Sequence, residues 1–318
     1  MRVIAVDLGY GGAKVYEPGK ETMIASFIGD VLEHSEPSAE TCIVGFDGIR
    51  LMVGRDVFMA GSEKPSMSPE RWLGGNEALA AFYAGMGAHL KGAKVKEPVS
   101  LYVGLPADIT SVDRRADTQR KVSSWLCGDH SWDFNGKKVS IQVGSATVRS
   151  QASGAIFDLI HTTSGEFSRD VEYLDKGVGV LSIGFNTIEL SGGMYGKSAA
   201  NMMMSAPLGV QALLQQCATN KRAGLSMLDS ALRSRRFGSD FEAKRKKWAG
   251  NIISAMESKW QTVMGSIERI MVVGGGAQHA ELELREKFGN LLYIPPSPIF
   301  SVARGLYKMG VVDAKASA

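Results

Sequence analysis

Asp7, three glycines close behind it and Lys14 are the residues whose types and spacing first suggest chemistry in this chain. Val3, Ile4, Ala5 and Val6 form an apolar run of strand length, and Asp7 stands where that strand should end. Gly9, Gly11 and Gly12 permit a tight reversal with φ > 0, after which Ala13-Lys14-Val15 resumes an extended pattern. A buried strand that delivers an acid and a glycine turn to its end can hold a metal–phosphate group. The N–H groups of the turn would face phosphate oxygens, and Lys14 would add a point charge. The competing reading is an ordinary hairpin with a solvated Asp and Lys, so a motif this short needs a second signal.

That second signal lies half a chain away. Val178-Gly-Val-Leu-Ser-Ile-Gly-Phe-Asn-Thr-Ile-Glu-Leu190 can be laid over Val3–Val15 without a gap. Asp7 then falls on Ser182, Gly9 on Gly184, Tyr10 on Phe185 and Lys14 on Glu189. Two such hairpins facing each other across a cleft would bring both turns to one ligand, and clefts between domains are preferred ligand sites. A third turn follows the apolar strand Ile270–Val273. Gly274, Gly275, Gly276 and Ala277 lead into a helix expected from about Gln278. Three glycines between strand and helix let the backbone approach a flat or phosphorylated ligand, although close strand–helix packing would also use them.

The elements that must position these turns are legible in outline. Thr41–Val44 and Arg50–Val53 read as strands around the turn pair Asp47-Gly48, and Trp132–Phe134 and Val139–Val143 as strands around Asn135-Gly136. Val99–Val103 is a further buried strand; residues 60–71 read as a loop. Helices are expected over Asn76–Leu90, Arg114–Leu126, Ser153–Ile160, Gly209–Cys217 and Ser301–Met309. The longest periodic segment, Ser239–Ile267, should open with a Ser239/Glu242 capping box and bury Trp248, Ile252, Met256, Trp260, Val263 and Ile267 as a stripe.

Bulk composition excludes several classes. With 318 residues, 44% of them hydrophobic and 22% charged, the chain has material for a large core and two domains. No apolar run approaches the roughly 18 residues needed to span a bilayer. The sequence starts directly with a strand, so a cytoplasmic rather than a secreted protein is expected. Cys42, Cys127 and Cys217 are scattered, odd in number and lack metal-ligand spacing, which suggests reduced thiols. A net charge of +3 does not call for nucleic acid, and the basic residues Arg233, Arg235, Arg236 and Lys244–Lys247 read as a solvated face. The five histidines are isolated and expected to be structural or exposed. Gly192–Ser198 imitates a P-loop but has three residues between its glycines where the motif needs four.

Taken together, the Asp7 turn, its echo at Ser182 and the Gly274–Gly276 turn resemble the two phosphate loops and the adenosine loop of the actin-like ATPase superfamily. The resemblance runs from residue 3 to about residue 310, and is greatest to the ParM/StbA plasmid-segregation actins and small archaeal actin-like proteins. VGLPADIT (103–110), SAPLGVQALLQQ (205–216), IMVVGGGAQ (270–278) and VARGLYKMG (302–310) each look like segments of that group. It implies an α/β fold of two duplicated actin-like (ribonuclease H-like) domains around a nucleotide cleft, with domain I as residues 1–153 plus 300–318 and domain II as 154–299. It implies ATP or GTP with Mg²⁺: Asp7 facing the hydrated metal, Gly9, Tyr10, Gly11 and Gly12 wrapping the β- and γ-phosphates, and Lys14 touching them. Ser182, Gly184, Phe185 and Asn186 would form the second phosphate loop, and Gly274, Gly275, Gly276 and Ala277 would lie against the adenosine and α-phosphate. Gln151 would orient the attacking water; an amide is no strong base, so its part is positioning. One departure stands out, because the second phosphate loop of the superfamily opens with Asp where this chain has Ser182. The implied activity is nucleotide-dependent polymerisation with ATP hydrolysis, for segregation of a plasmid or similar DNA through a DNA-binding adaptor. Neither direct nucleic-acid binding nor a membrane is expected. A non-polymerising nucleotide-binding regulator and a small-molecule kinase of the same fold are the alternatives.

Overall fold

The computed structural model describes residues 1–60, 63–64, 75–105, 115–220 and 223–316. Most of the loop expected over 60–71, residues 106–110 of the VGLPADIT segment and the expected helix start at Arg114 lie outside the described residues. The chain forms two compact units: Met1–Ser150 with Arg222–Arg235, and Gln151–Lys221 with Arg236–Ala318.

The first unit is built on a sheet of nine strands among the described residues. Its strands are β1 (Arg2–Gly9), β2 (Gly12–Glu17), β3 (Lys20–Ile24), β4 (Ile28–Asp30), β5 (Thr41–Phe46), β6 (Ile49–Gly54), β7 (Val99–Leu105), β8 (Gly128–Phe134) and β9 (Lys137–Ser150), in the order β3-β2-β1-β7-β9-β8-β5-β6-β4. β1 is central, antiparallel to β2 and parallel to β7, and Ile4, Ala5, Val6 and Leu8 are fully buried in it. Both turn pairs read from the sequence close two-residue hairpins: Phe46 pairs with Ile49, and Phe134 with Lys137. Their central residues, Asp47-Gly48 and Asn135-Gly136, all have positive φ, as a turn matching the strand twist requires. Helix α1 (Asn76–Leu90) lies against β2 and β3, and α2 (Arg115–Leu126) against β9.

The second unit repeats the plan on a smaller scale. Its strands are β10 (Val178–Ile183), β11 (Ile188–Met194), β12 (Lys197–Ser198), β13 (Met204–Ala206), β14 (Arg269–Val273) and β15 (Leu292–Tyr293). β10 is the counterpart of β1: β11 runs antiparallel on one side and β14 parallel on the other. Its helices are α3 (Gln151–Ile160), α4 (Val210–Cys217), α6 (Phe241–Trp260), α7 (Ala277–Phe288) and α8 (Ser301–Ala316), while α5 (Leu225–Arg233) belongs to the first unit. The predicted stripe of α6 is core: Trp248, Ile252, Met256 and Trp260 are fully buried, and Val263 and Ile267 follow beyond the helix end. Burying large side chains of this kind stabilises by about 1.5–3 kcal/mol each. The two indoles also donate hydrogen bonds, Trp248 to Leu208 O (2.8 Å) and Trp260 to Met202 O (3.0 Å).

The structure differs from the sequence reading in several places. The resemblance implied that 300–318 belongs with the first domain; in the structure α8 packs on α3 within the second compact unit. The cause is a buried charge cluster and a bare backbone crossing. Asp158 of α3 accepts from Arg304 (2.7 and 2.6 Å), Lys308 (2.7 Å) and Ser301 (2.7 Å). A Cβ on Gly305 would sit 1.7 Å from Gly154 O, so the helices touch backbone to backbone there. The break also falls at Ser150/Gln151 rather than at 153/154, and Arg222–Arg235 joins the first unit. The Ser239/Glu242 capping box does not form: α6 starts after Asp240 without a side-chain cap, and Glu242 instead accepts from Arg245. Arg245 in turn is not solvated, because it bridges Glu242 to Glu283 (2.7 Å) and to His279 O (2.6 Å) and so ties α6 to α7. α3 begins at Gln151 and α8 extends to Ala316, each longer than read.

Candidate functional site

The β1–β2 hairpin delivers every first-unit residue singled out from the sequence. Gly9 pairs with Gly12, leaving Tyr10 and Gly11 as the two turn residues, and Asp7 pairs directly with Lys14. Asp7 is only 3% exposed. Lys14 folds back over the turn to place Nζ 3.0 Å from Asp7 Oδ2. Gly9 is what permits that path, because a Cβ there would stand 2.8 Å from Lys14 Nζ. Gly12 is similarly confined, by Met23 Cε at 2.6 Å and Ile24 O at 3.1 Å. The Ser26 hydroxyl donates to Gly9 O (3.0 Å) and fixes the turn from behind, a contact that no local sequence pattern announced. At the other end the hairpin is held by Arg2, which donates to Glu17 through Nε (2.6 Å) and Nη2 (2.5 Å). The Glu17 carboxyl also accepts from the fully buried His89, at 2.9 Å. Burial alone would raise the Glu17 carboxyl, but the hydrogen bonds and charges of Arg2 and His89 outweigh it and hold it at about 2. His89 and His130, which lies 2.9 Å from Tyr83 OH, are thus structural residues.

In the second unit three chain segments converge on one turn. β10 and β11 pair in the register that the sequence overlay requires: Ser182 faces Glu189 as Asp7 faces Lys14. The turn is longer than the first, with Gly184, Phe185, Asn186 and Thr187 between the paired Ile183 and Ile188. The start of α4 buttresses it: Val210 N donates to Gly184 O (3.0 Å), Gln211 N to Phe185 O (2.8 Å) and Gly209 N to Asn186 O (3.3 Å). Gly209 has to be bare, since its Cβ would lie 2.4 Å from Phe185 O. The Gly274–Ala277 turn closes on the same place. Gly276 N donates to Ile183 O (3.0 Å), and Gly274, at φ +94°, would drive a Cβ to 2.4 Å from that carbonyl. Gly275 is the most open of the three, with only the Ile299 side chain, at 3.3 Å, near a Cβ. Ser182, Gly184, Phe185, Asn186, Gly274, Gly275, Gly276 and Ala277 therefore form one cluster. Gln151 opens α3 in the same unit, directly after the end of β9.

Residues 5–154 match the sequence family of N-terminal domains of actin-like proteins. Over its whole length the chain is similar to the subunit of a 15-stranded ParM filament from Clostridium botulinum, with a TM-score of 0.77 at 17% identity, covering 98% of this chain and 99% of that one. The chain has the actin-like fold. This actin-like chain is also similar to an archaeal actin homologue, with a TM-score of 0.75 at 16% identity over 99% and 100% of the two chains. ParM of Bacillus thuringiensis with ADP is a further neighbour, with a TM-score of 0.67 at 14% identity over 99% of each chain. No curated protein matches the sequence.

The duplication gives each actin-like unit a central strand, an antiparallel hairpin and a turn at its end, but the two turns differ in chemistry. The first offers a buried acid and a lysine; the second offers a hydroxyl, an acid on the returning strand and Asn186, whose buried Oδ1 has no hydrogen-bond partner among the described residues. Among the described residues no cluster of three or more His, Cys, Asp or Glu could hold a metal alone. A hydrated Mg²⁺ that arrives with phosphates needs only one or two carboxylates and keeps several waters. Within the first unit, Asp7 is a buried carboxylate of the kind such an ion can use.

Proposed function

We propose that this chain binds one ATP or GTP with Mg²⁺ through the turns of both units and, in that state, assembles head-to-tail into filaments. The observation that carries this reading is the matched register of the two hairpins, which puts Asp7 and Ser182 at equivalent ends of duplicated strands. Asp7 would face the water shell of the metal, with Gly9–Gly12 and Lys14 on the β- and γ-phosphates. Gly184, Phe185 and Asn186 would close on the same phosphates, and Gly274–Ala277 would lie along the nucleoside and α-phosphate. The bound metal would neutralise phosphate charge and organise the water to be activated. Gln151 would orient that water, so hydrolysis is proposed as the step that loosens the polymer. Neighbours with the same fold include a ParM filament and a ParM with ADP, which supports both halves of the proposal. Head-to-tail contacts propagate without closing and so yield filaments. Plasmid segregation through a DNA-binding adaptor, in the cytoplasm, is the cellular role that goes with it. Ser182 favours one second reading, a nucleotide-binding regulator that does not polymerise, because the acid expected on that strand is missing.

Sedimentation separates the two. The chain is spun at high concentration with ATP, with a non-hydrolysable analogue and without nucleotide. Pelleting with both nucleotides, more persistent with the analogue, is expected. Nucleotide binding with no pellet in any condition would replace the filament reading by the regulator.

A further inference from the structure

A pocket of about 370 Å³ lies in the first unit, where the start of β1, the start of β3 and the connection from α1 to β7 meet. Four of its lining side chains are cationic, Arg2, Lys20, Lys94 and Lys96, against one acid, Glu97. Leu90 and Val95 add an apolar patch. The cations are not equivalent. Arg2 is engaged, because its Nε and Nη2 both donate to Glu17. Its guanidinium is raised above the ordinary value by those hydrogen bonds first, then by the charges of Glu17 and Glu97, so both nearby acids answer Arg2. None of the three lysines has a carboxylate within salt-bridge distance among the described residues. Nor are they needed to cap α1, whose last carbonyls accept from Lys91 N (3.2 Å to Ala88 O) and Gly92 N (3.0 Å to Gly87 O). Three such lysines around one concavity create a local positive potential on a chain whose net charge is only +3.

The backbone sets the spacing of two of these charges. Val95 N donates to Ser140 O (3.0 Å) and Lys94 bridges Ser140 in the parallel sense, so this stretch runs extended beside β9. An extended chain sends alternate side chains to opposite sides, which sets Lys94 and Lys96 about 6.6 Å apart along one side. Both are exposed, with Val95 half-buried between them. Carboxylates at alternate positions of an extended peptide repeat at the same interval. A compact phosphate is matched less well, since it favours a guanidinium fork or converging backbone N–H groups, and the Arg2 fork is spent on Glu17. We propose that this pocket docks an extended acidic segment of a partner protein, whose alternate Asp or Glu carboxylates meet Lys94 and Lys96 while Lys20 contributes from β3. The pocket lies at the Arg2 end of β1, away from the Asp7 turn, so its use does not depend on nucleotide.

Fluorescence anisotropy with a fluorescein-labelled octapeptide of alternating Glu and Ala tests this on the full chain. Three proteins are compared: wild type, Lys94→Glu/Lys96→Glu, and Lys246→Glu/Lys247→Glu, whose exposed lysines lie on α6 in the other unit and carry the same change of charge. Wild type should bind, more weakly as salt is added. The pocket variant should lose about 10-fold or more in affinity and the control variant about 2-fold or less. All three should melt at the same temperature, because the substituted lysines are exposed. Inorganic phosphate should displace the peptide no better than sodium chloride of equal ionic strength. Equal losses in the two variants would overturn the proposal, as attraction to net charge alone, and so would a wild type that binds no peptide at low salt. Displacement by phosphate beyond that of chloride would overturn it in favour of a phosphate site.

Discussion

Asp7 and Lys14 form a buried pair at the end of β1, and a buried charge that loses its partner is costly, commonly by about 3–5 kcal/mol. Asp7→Ala therefore tests folding and binding together, whereas Asp7→Asn keeps the shape and removes only the charge. Asp7→Asn should stay folded by circular dichroism, while titration with ATP should show the same affinity with Mg²⁺ as with EDTA. A retained Mg²⁺ effect would remove Asp7 from the metal's surroundings. Gly9→Ala makes a finer prediction: the new methyl competes with Lys14 Nζ for the same volume, so affinity for a triphosphate should fall more than affinity for the bare nucleoside. These residues were legible because their relation is local, seven positions apart on one hairpin. The direct pairing of Ser182 with Glu189 depends on a cross-strand register, and a sequence shows register only after the turn length is known. Ser26 was invisible for the same reason, since it meets Gly9 only through the paired sheet.

At the scale of elements, the hairpin that carries Asp7 is pinned by Arg2, Glu17 and His89 across β1, β2 and α1. The carboxyl of Glu17 lies below its ordinary value of 4.5, at about 2. A lowered acid contributes stability that is complete above the unfolded-state value and is lost as pH falls toward the folded-state value. The stability gap between wild type and Glu17→Gln, read from urea midpoints, should hold from neutrality down to about pH 4.5 and close as pH approaches about 2. A gap that does not change with pH would show that the carboxylate charge is not what holds the strands. The α3–α8 crossing gives a second test. Gly305→Ala puts a methyl onto Gly154 O and should destabilise by about 2–3 kcal/mol in denaturant titrations. A neutral result would mean that the helices are free to part. This crossing, which sets the C-terminal helix against α3, is not visible in the sequence. Asp158, Ser301, Arg304 and Lys308 are 143 to 150 positions apart in the chain, and only packing brings them together. The hairpin turns at Asp47-Gly48 and Asn135-Gly136, by contrast, carry their geometry in their residue types, and both were read correctly. The capping box failed because Arg245 offered Glu242 a charged partner, which a local helix-start pattern does not anticipate.

At the scale of the whole molecule, one plan is used twice: a central strand, an antiparallel hairpin partner, a parallel neighbour and a turn at the strand end. The repeat was legible because a gapless overlay preserves strand period and turn together, and the pairing registers follow it residue for residue. The proposed function requires more than two similar turns; it requires both to serve one ligand. Calorimetry on wild type, Asp7→Ala and Gly274→Val tests that requirement most directly, because the two substitutions damage one turn in each unit. Gly274 sits at φ +94°, where a β-branched side chain is strained and would strike Ile183 O, so its turn cannot keep its form. The account predicts one ATP·Mg²⁺ per chain in wild type and a loss of affinity on the order of 100-fold in each variant. Two independent sites in wild type, or undiminished binding in either folded variant, would contradict it.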